Sequence, residues 1–182
     1  YSSVSIADGD TAQQAVEELY RHGHRRIAAL ISRPDDQSIS QLRYEGYIQA
    51  LESHGIPVDP ELVICTGGFG AKDAYRAVQE KMAENVDFTA LFAIADSMAI
   101  GAMRALMDAG RRIPEDCSVI AIDGLELSAY IEPPLTTLCQ PMEEMGRRSA
   151  EILLDMVRHK GSHACELLPT TLRQGRSVAA PG

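Results

Sequence analysis

The 182 residues predict a doubly wound, parallel α/β sheet, and three observations carry the prediction. Apolar runs of strand length alternate with amphipathic helical stretches, joined by short connections. One run, Ser118 to Ile122, is apolar and rich in β-branched residues without alternation, the pattern of a strand covered on both faces. Asp123 and Gly124 then stop it, and a carboxylate at the carboxyl end of a parallel strand stands where open α/β sheets bind ligands. Asp123 is therefore either a ligand group facing a crevice or the cap of a turn. A chain of this length buries most of its apolar surface in one ordinary domain without disulfides.

The elements follow in order. Ser3 to Ile6 is strand-like. Asp8 is a helix N-cap with Asp10 in the first turn; Ala12, Ala15, Val16 and Leu19 then keep helical spacing until Gly23. Arg26 to Ser32 is a strand. Ser38 precedes a helix through Leu42, Tyr47, Ala50 and Leu51, closed by Gly55 and Pro57. Leu62 to Cys65 is a strand, residues 67–70 a glycine-rich loop, and Ala71 to Ala83 a helix. Ala90 to Ile94, a helix from Ser97 to Ala109 closed by Gly110, and the Ser118 to Ile122 strand continue the alternation. Pro141 opens a long helix to about His159 with Met142, Met145, Ala150, Leu153, Leu154 and Val157 along one stripe. Glu166 to Leu172 forms a closing strand.

The net charge of −9 and the absence of a basic tract argue against a nucleic-acid-binding surface in these residues, since phosphate neutralisation needs clustered Lys and Arg. Cysteines 65, 117, 139 and 165 lie far apart without a C-x-x-C pair and read as reduced core residues of a cytosolic protein. No signal peptide and no apolar run of membrane-spanning length is visible. The chain opens on Tyr1 directly in a strand-like segment, as expected of a piece with more chain upstream.

Several constellations can bear chemistry. The loop Gly67-Gly68-Phe69-Gly70 follows a strand and opens a helix, so it can cradle a phosphate, serve as a plain turn, or wall a ligand crevice; Phe69 suits a ring or a sugar. His22 and His24 flank Gly23, where helix capping is favoured over a metal site because no further ligand is spaced nearby. Ser97 lacks a glycine elbow and a histidine partner, and no acid/base pair stands out, which leaves no catalytic residues to name. Arg43, early in the second helix, shares the carboxyl edge with Asp123 by strand order. The two suit directional hydrogen bonds to sugar hydroxyls, against the alternative of a solvated surface arginine.

Taken together, residues spread over nearly the whole chain resemble the ligand-binding domain of the LacI/GalR transcription regulators. They are Gly23-His24-Arg25-Arg26-Ile27-Ala28, Arg43-Tyr44-Glu45-Gly46-Tyr47, residues 92–101, Ile113-Pro114-Glu115-Asp116, Asp123-Gly124, Pro134-Leu135-Thr136-Thr137 with Gln140-Pro141, and Arg176-Ser177. The resemblance implies a periplasmic-binding-protein-like (type I) fold. Residues 8–135 and 163–178 would form its C-terminal lobe, 1–7 and 136–140 the hinge strands, and 141–160 a helix belonging with an amino-terminal lobe absent here.

It further implies a non-enzymatic, cytoplasmic repressor or related regulator that binds a small-molecule effector, a sugar or related metabolite, without a cofactor or metal. Such a regulator contacts operator DNA only through a missing amino-terminal helix-turn-helix, does not contact membrane, and acts as a homodimer. The positions it implicates in the ligand site are Arg43, Phe69, Ala95, Asp96, Asp123 and Gln140; those at the dimer surface are Ile100, Met103, Leu127 and Tyr130. Ala95 departs from the family, which usually carries Asn there, so one hydrogen-bonding arm is lost. The alternative is a soluble solute-binding protein of a sugar transporter, and an α/β enzyme would need the catalytic pair that is missing.

Overall fold

A computed structural model of the protein describes residues 2–33, 39–159 and 164–182; the proposed helix start at Ser38 lies outside them. In chain order the elements are β1 (Ser3–Ile6), α1 (Asp8–Arg21), β2 (Ile27–Ile31), α2 (Ile39–Ser53), β3 (Val63–Cys65), α3 (Ala71–Ala83), β4 (Ala90–Ala93), α4 (Asp96–Asp108), β5 (Ser118–Asp123), β6 (Thr136–Cys139), α5 (Met142–His159), β7 (Cys165–Leu168) and β8 (Thr171–Arg173).

Six strands form one sheet in the order β3-β2-β4-β5-β6-β8. The first five are parallel, and β8 runs antiparallel to β6. The uninterrupted apolar strands β2 and β4 are buried at every residue, and β5 at all but Asp123, because helices cover both faces. α1 packs on α2, and α3 on α4.

Each helix pair is set by a glycine. A methyl group on Gly46 would stand 2.1 Å from the Gly9 carbonyl oxygen, and one on Gly101 would stand 2.0 Å from that of Ala71. Tyr47, one residue beyond Gly46, is wholly buried, donates its hydroxyl to the Ile27 carbonyl at 2.8 Å and stacks near Phe92.

The carboxy-terminal tail stitches the sheet from below. Val119 donates its amide to the Ser177 carbonyl at 2.7 Å, Ser177 returns its hydroxyl to Val119, and His24 bonds the Ala179 carbonyl at 2.9 Å. Of the two histidines expected to cap α1, only His22 does so, with its amide on the Glu18 carbonyl. His24 is buried beneath the tail, and that burial pushes its pKa below the ordinary value, so Nε2 donates to Ala179 and Nδ1 accepts from Thr89.

The closing strand is two strands. β7 pairs with β1 in a separate two-stranded sheet, while β8 joins the large one; Pro169 separates them and ends the first ladder. The start of the expected 163–178 stretch lies outside the described residues, and the rest of it is divided between the two sheets. Thr136–Cys139, expected as a hinge strand, lies inside the large sheet between β5 and β8. α5 packs against β1. Of the cysteines only Cys117 is fully in the core; Cys65 and Cys165 are exposed because β3 is an edge strand and β7 turns Cys165 outward.

Candidate ligand-binding site

The large sheet changes direction between β2 and β4: the connection from β2 leads outward to β3, and that from β4 leads the other way to β5. Crevices at such a switch point, outside the carboxyl ends of the strands, are where α/β sheets bind ligands. Five chain segments meet there. Arg43, from the second turn of α2, is only 2% exposed. It donates from Nε to Asp8 at 2.8 Å, and from Nη1 to Asp123 at 3.2 Å and to the Ile94 carbonyl just beyond β4. Gln140, following β6, donates from Nε2 to the same Asp123 oxygen at 2.7 Å, and its amide bonds the Asp123 carbonyl at 3.0 Å.

Asp123 holds φ at +132°, a conformation that an L side chain adopts at a cost of about 1–3 kcal/mol and keeps only where its surroundings impose it. The Gln140 and Arg43 bonds impose it here. Its carboxylate, 24% exposed, is the outward face of the cluster and can accept ligand hydroxyls. Gly124 follows at φ +78°, with no room for a Cβ beside Cys139. Strand order brought Arg43 and Asp123 to one edge, the resemblance added Gln140, and the structure joins all three. Strand order missed Asp8, which does not cap α1: no side-chain bond closes that helix end, and the carboxylate turns to Arg43 instead.

Asp96 is a correction. It is wholly buried and accepts from Thr137 Oγ1 at 2.6 Å, Ser128 Oγ at 2.7 Å and the Leu125 amide at 2.8 Å. Those donors leave it no role as a ligand contact; it pins the loop after Asp123 to β6. Burial raises its pKa, and the three hydrogen bonds oppose that rise. Arg173 clamps the same loop through the Gly124 and Leu125 carbonyls and Ser128.

Ala95 caps α4 with extended backbone and is 4% exposed, beside the Ile94 carbonyl that Arg43 holds. Phe69, at 42% exposed, stands at the same sheet edge. Its carbonyl accepts from Ser97 Oγ at 2.7 Å, and the Thr66 hydroxyl holds Gly68, so the glycine loop is tied rather than loose.

Of the four surface candidates, Leu127 and Tyr130 are exposed at 62% and 78%, and Ile100 is half-buried. Met103 is corrected to core at 1% exposed, because α4 is covered by the sheet on one side and by α3 on another. On α5, Met142, Leu153, Leu154 and Val157 are exposed, whereas Met145 packs partly against the core.

Residues 16–178 match the family described as "Periplasmic binding protein-like domain". The chain is 37% identical over 172 residues to the HTH-type transcriptional repressor CytR of Escherichia coli (strain K12), covering 91% of this chain and 50% of the relative. It is 35% identical over 170 residues to the HTH-type transcriptional regulator CelR of Thermobifida fusca, covering 93% and 49%. It thus spans about half the length of the curated relatives it matches. Among solved structures, the CelR–cellobiose complex superposes with a TM-score of 0.90 at 34% identity, covering 97% of this chain and 54% of that one. A LacI family regulator of Enterococcus faecium with bound ribose gives 0.87 at 31% identity, covering 98% and 66%.

Proposed function

This chain belongs to the periplasmic-binding-protein-like domain family, as its LacI-type relatives do, and on that premise we propose that it is the effector-sensing part of a cytoplasmic LacI-type transcription regulator. The observation that carries the proposal is the Arg43–Asp123–Gln140 cluster at the switch point of the sheet. Asp123 accepts hydroxyls of a small metabolite, with Gln140 beside it and Phe69 as a flat wall for a ring. With Ala95 in place of an amide, these groups supply the directional contacts. Relatives seen with cellobiose and ribose support a sugar or a molecule containing one.

Regulation follows from linkage. The effector shifts operator binding only by its different affinity for the two poses of the regulator, and the DNA contacts lie in a helix-turn-helix outside these residues. The regulator acts as a homodimer, for which Leu127 and Tyr130, both exposed in the loop after β5, supply apolar surface.

The test is calorimetric titration of the full-length protein with ribose and cellobiose, alongside an operator-release assay. Asp123→Ala should lose about 10- to 100-fold in effector affinity, the worth of a charge-assisted hydrogen bond, while still binding operator. Wild-type affinity in Asp123→Ala would remove this site from effector recognition.

A further inference from the structure

The charges around Arg43 do not balance, and the excess is negative. One guanidinium lies between two carboxylates, Asp8 at 2.8 Å and Asp123 at 3.2 Å, and Gln140 adds only a neutral amide. Asp96 is buried beneath the same edge, close enough for the Asp123 charge to help raise its pKa after burial has done most of the work.

The helix ends that open here also carry carboxylates. A helix N-terminus holds phosphate when its first amides and positive dipole end face a vacant anion position. α1 carries Asp8 and Asp10 in its first turn, α3 carries Asp73, and α4 carries Asp96. Asp73 reaches back over the glycine loop, with Oδ2 3.8 Å from where a Cβ on Gly68 or on Gly70 would stand. No side-chain hydrogen bond closes any of these three helix ends, so the carboxylates add negative charge near the helix amides without filling an anion position. Of the other described cations near this edge, Arg173 is committed to the loop after Asp123, Arg76 stands 3.8 Å from Asp73 but is largely exposed, and Arg33 and Lys72 are exposed, where water and salt screen them.

We propose that this edge selects uncharged, hydroxyl-bearing ligands over their phosphate esters, and that Asp8 sets the preference by holding the Arg43 guanidinium against a second carboxylate. The inference rests on the effector-site reading above and adds the charge class of the ligand. Replacing Asp8 by Asn keeps an acceptor for Arg43 Nε but removes one negative charge, which leaves Arg43 and Asp123 balanced and lowers the barrier to an anion.

The experiment titrates the full-length protein with ribose, cellobiose and a nucleoside, each beside its phosphate ester, and with inorganic phosphate. At least one uncharged member should bind, with its ester about 100-fold weaker, the scale of unit-charge repulsion across a few ångströms at a protein surface. Asp8→Asn should narrow that ratio about tenfold, and Asp73→Asn, on a separate and more exposed helix end, by a smaller factor. An ester that binds as well as its parent overturns the selectivity and leaves the effector site standing. An unchanged ratio in Asp8→Asn overturns the role of Asp8. If no member binds, charged or uncharged, the site reading fails and this inference with it. The wild-type ratio and the Asp73→Asn variant decide the charge class whether or not Asp8→Asn folds.

Discussion

Gly46 lies so close to Gly9 that no side chain fits between α2 and α1, and this contact is what brings Arg43, three residues earlier on the same helix face, against Asp8. Gly46→Ala should therefore act twice. Forcing the helices apart costs about 1–3 kcal/mol of stability, as overpacking does elsewhere. It should also weaken effector binding by displacing Arg43, whereas a purely structural glycine would lower the urea midpoint without changing affinity in the remaining folded protein.

Arg43→Met leaves Asp8 and Asp123 facing each other without their shared cation. Breaking a buried pair in this way costs about 3–5 kcal/mol. The double variant Asp8→Asn with Arg43→Met should recover part of that loss, since one stranded carboxylate is gone. Urea unfolding of both variants checks it, and equal losses would mean that Asp8 does not feel the Arg43 charge.

Asp96→Ala strands the Leu125 amide and two hydroxyls, with an expected loss of about 1–3 kcal/mol for each group that finds no new partner. Asp96→Asn retains an acceptor and should cost less. The loop 125–130 should lose hydrogen-exchange protection in the alanine variant before the rest of the sheet does.

His24 predicts an acid-side loss of stability. Its pKa in the fold is lowered from 6.5, chiefly by burial, so as pH falls through 6.5 the unfolded chain takes up a proton that the folded chain resists. Its contribution is complete above 6.5 and declines between 6.5 and the lowered value. His24→Gln, which can still donate to Ala179, should flatten this step in urea midpoints measured from pH 8 to pH 5.

Tyr130→Asp places a charge in the apolar patch next to Leu127. Sedimentation of the full-length variant should show half the parent's mass; an unchanged mass would move the dimer contact elsewhere.

What the sequence made legible is tied to how local the signal is. The Ala71 to Ala83 helix is recovered to the residue, because its apolar spacing and the glycines before it are contiguous. Strand order put Arg43 and Asp123 at one edge, since parallel strands put their carboxyl ends on one side, and the family resemblance added Gln140. Asp8 escaped because a carboxylate opening a helix is equally at home as a cap; only the Gly9–Gly46 approach redirects it. Asp96 escaped because its donors lie 29 to 41 residues downstream. Met103 was misplaced because the resemblance assigns a helix to the dimer surface without saying which of its apolar side chains turn inward. Pro169 was the available sign that the closing strand breaks in two.

The chain crosses between its small and large sheets three times: at Ala7, at residues 140–141 and at residues 169–170. Two of these straps end on residues of the charged cluster, Asp8 and Gln140, and the third brings Thr170 within 3.5 Å of Thr11 on the first turn of α1. Three short links side by side behave as the knuckles of a door hinge, stiff to shear and extension but compliant to rotation about one line. Rotation of the small sheet against the large one would therefore act first on the bonds that Asp8 and Gln140 make to Arg43 and Asp123.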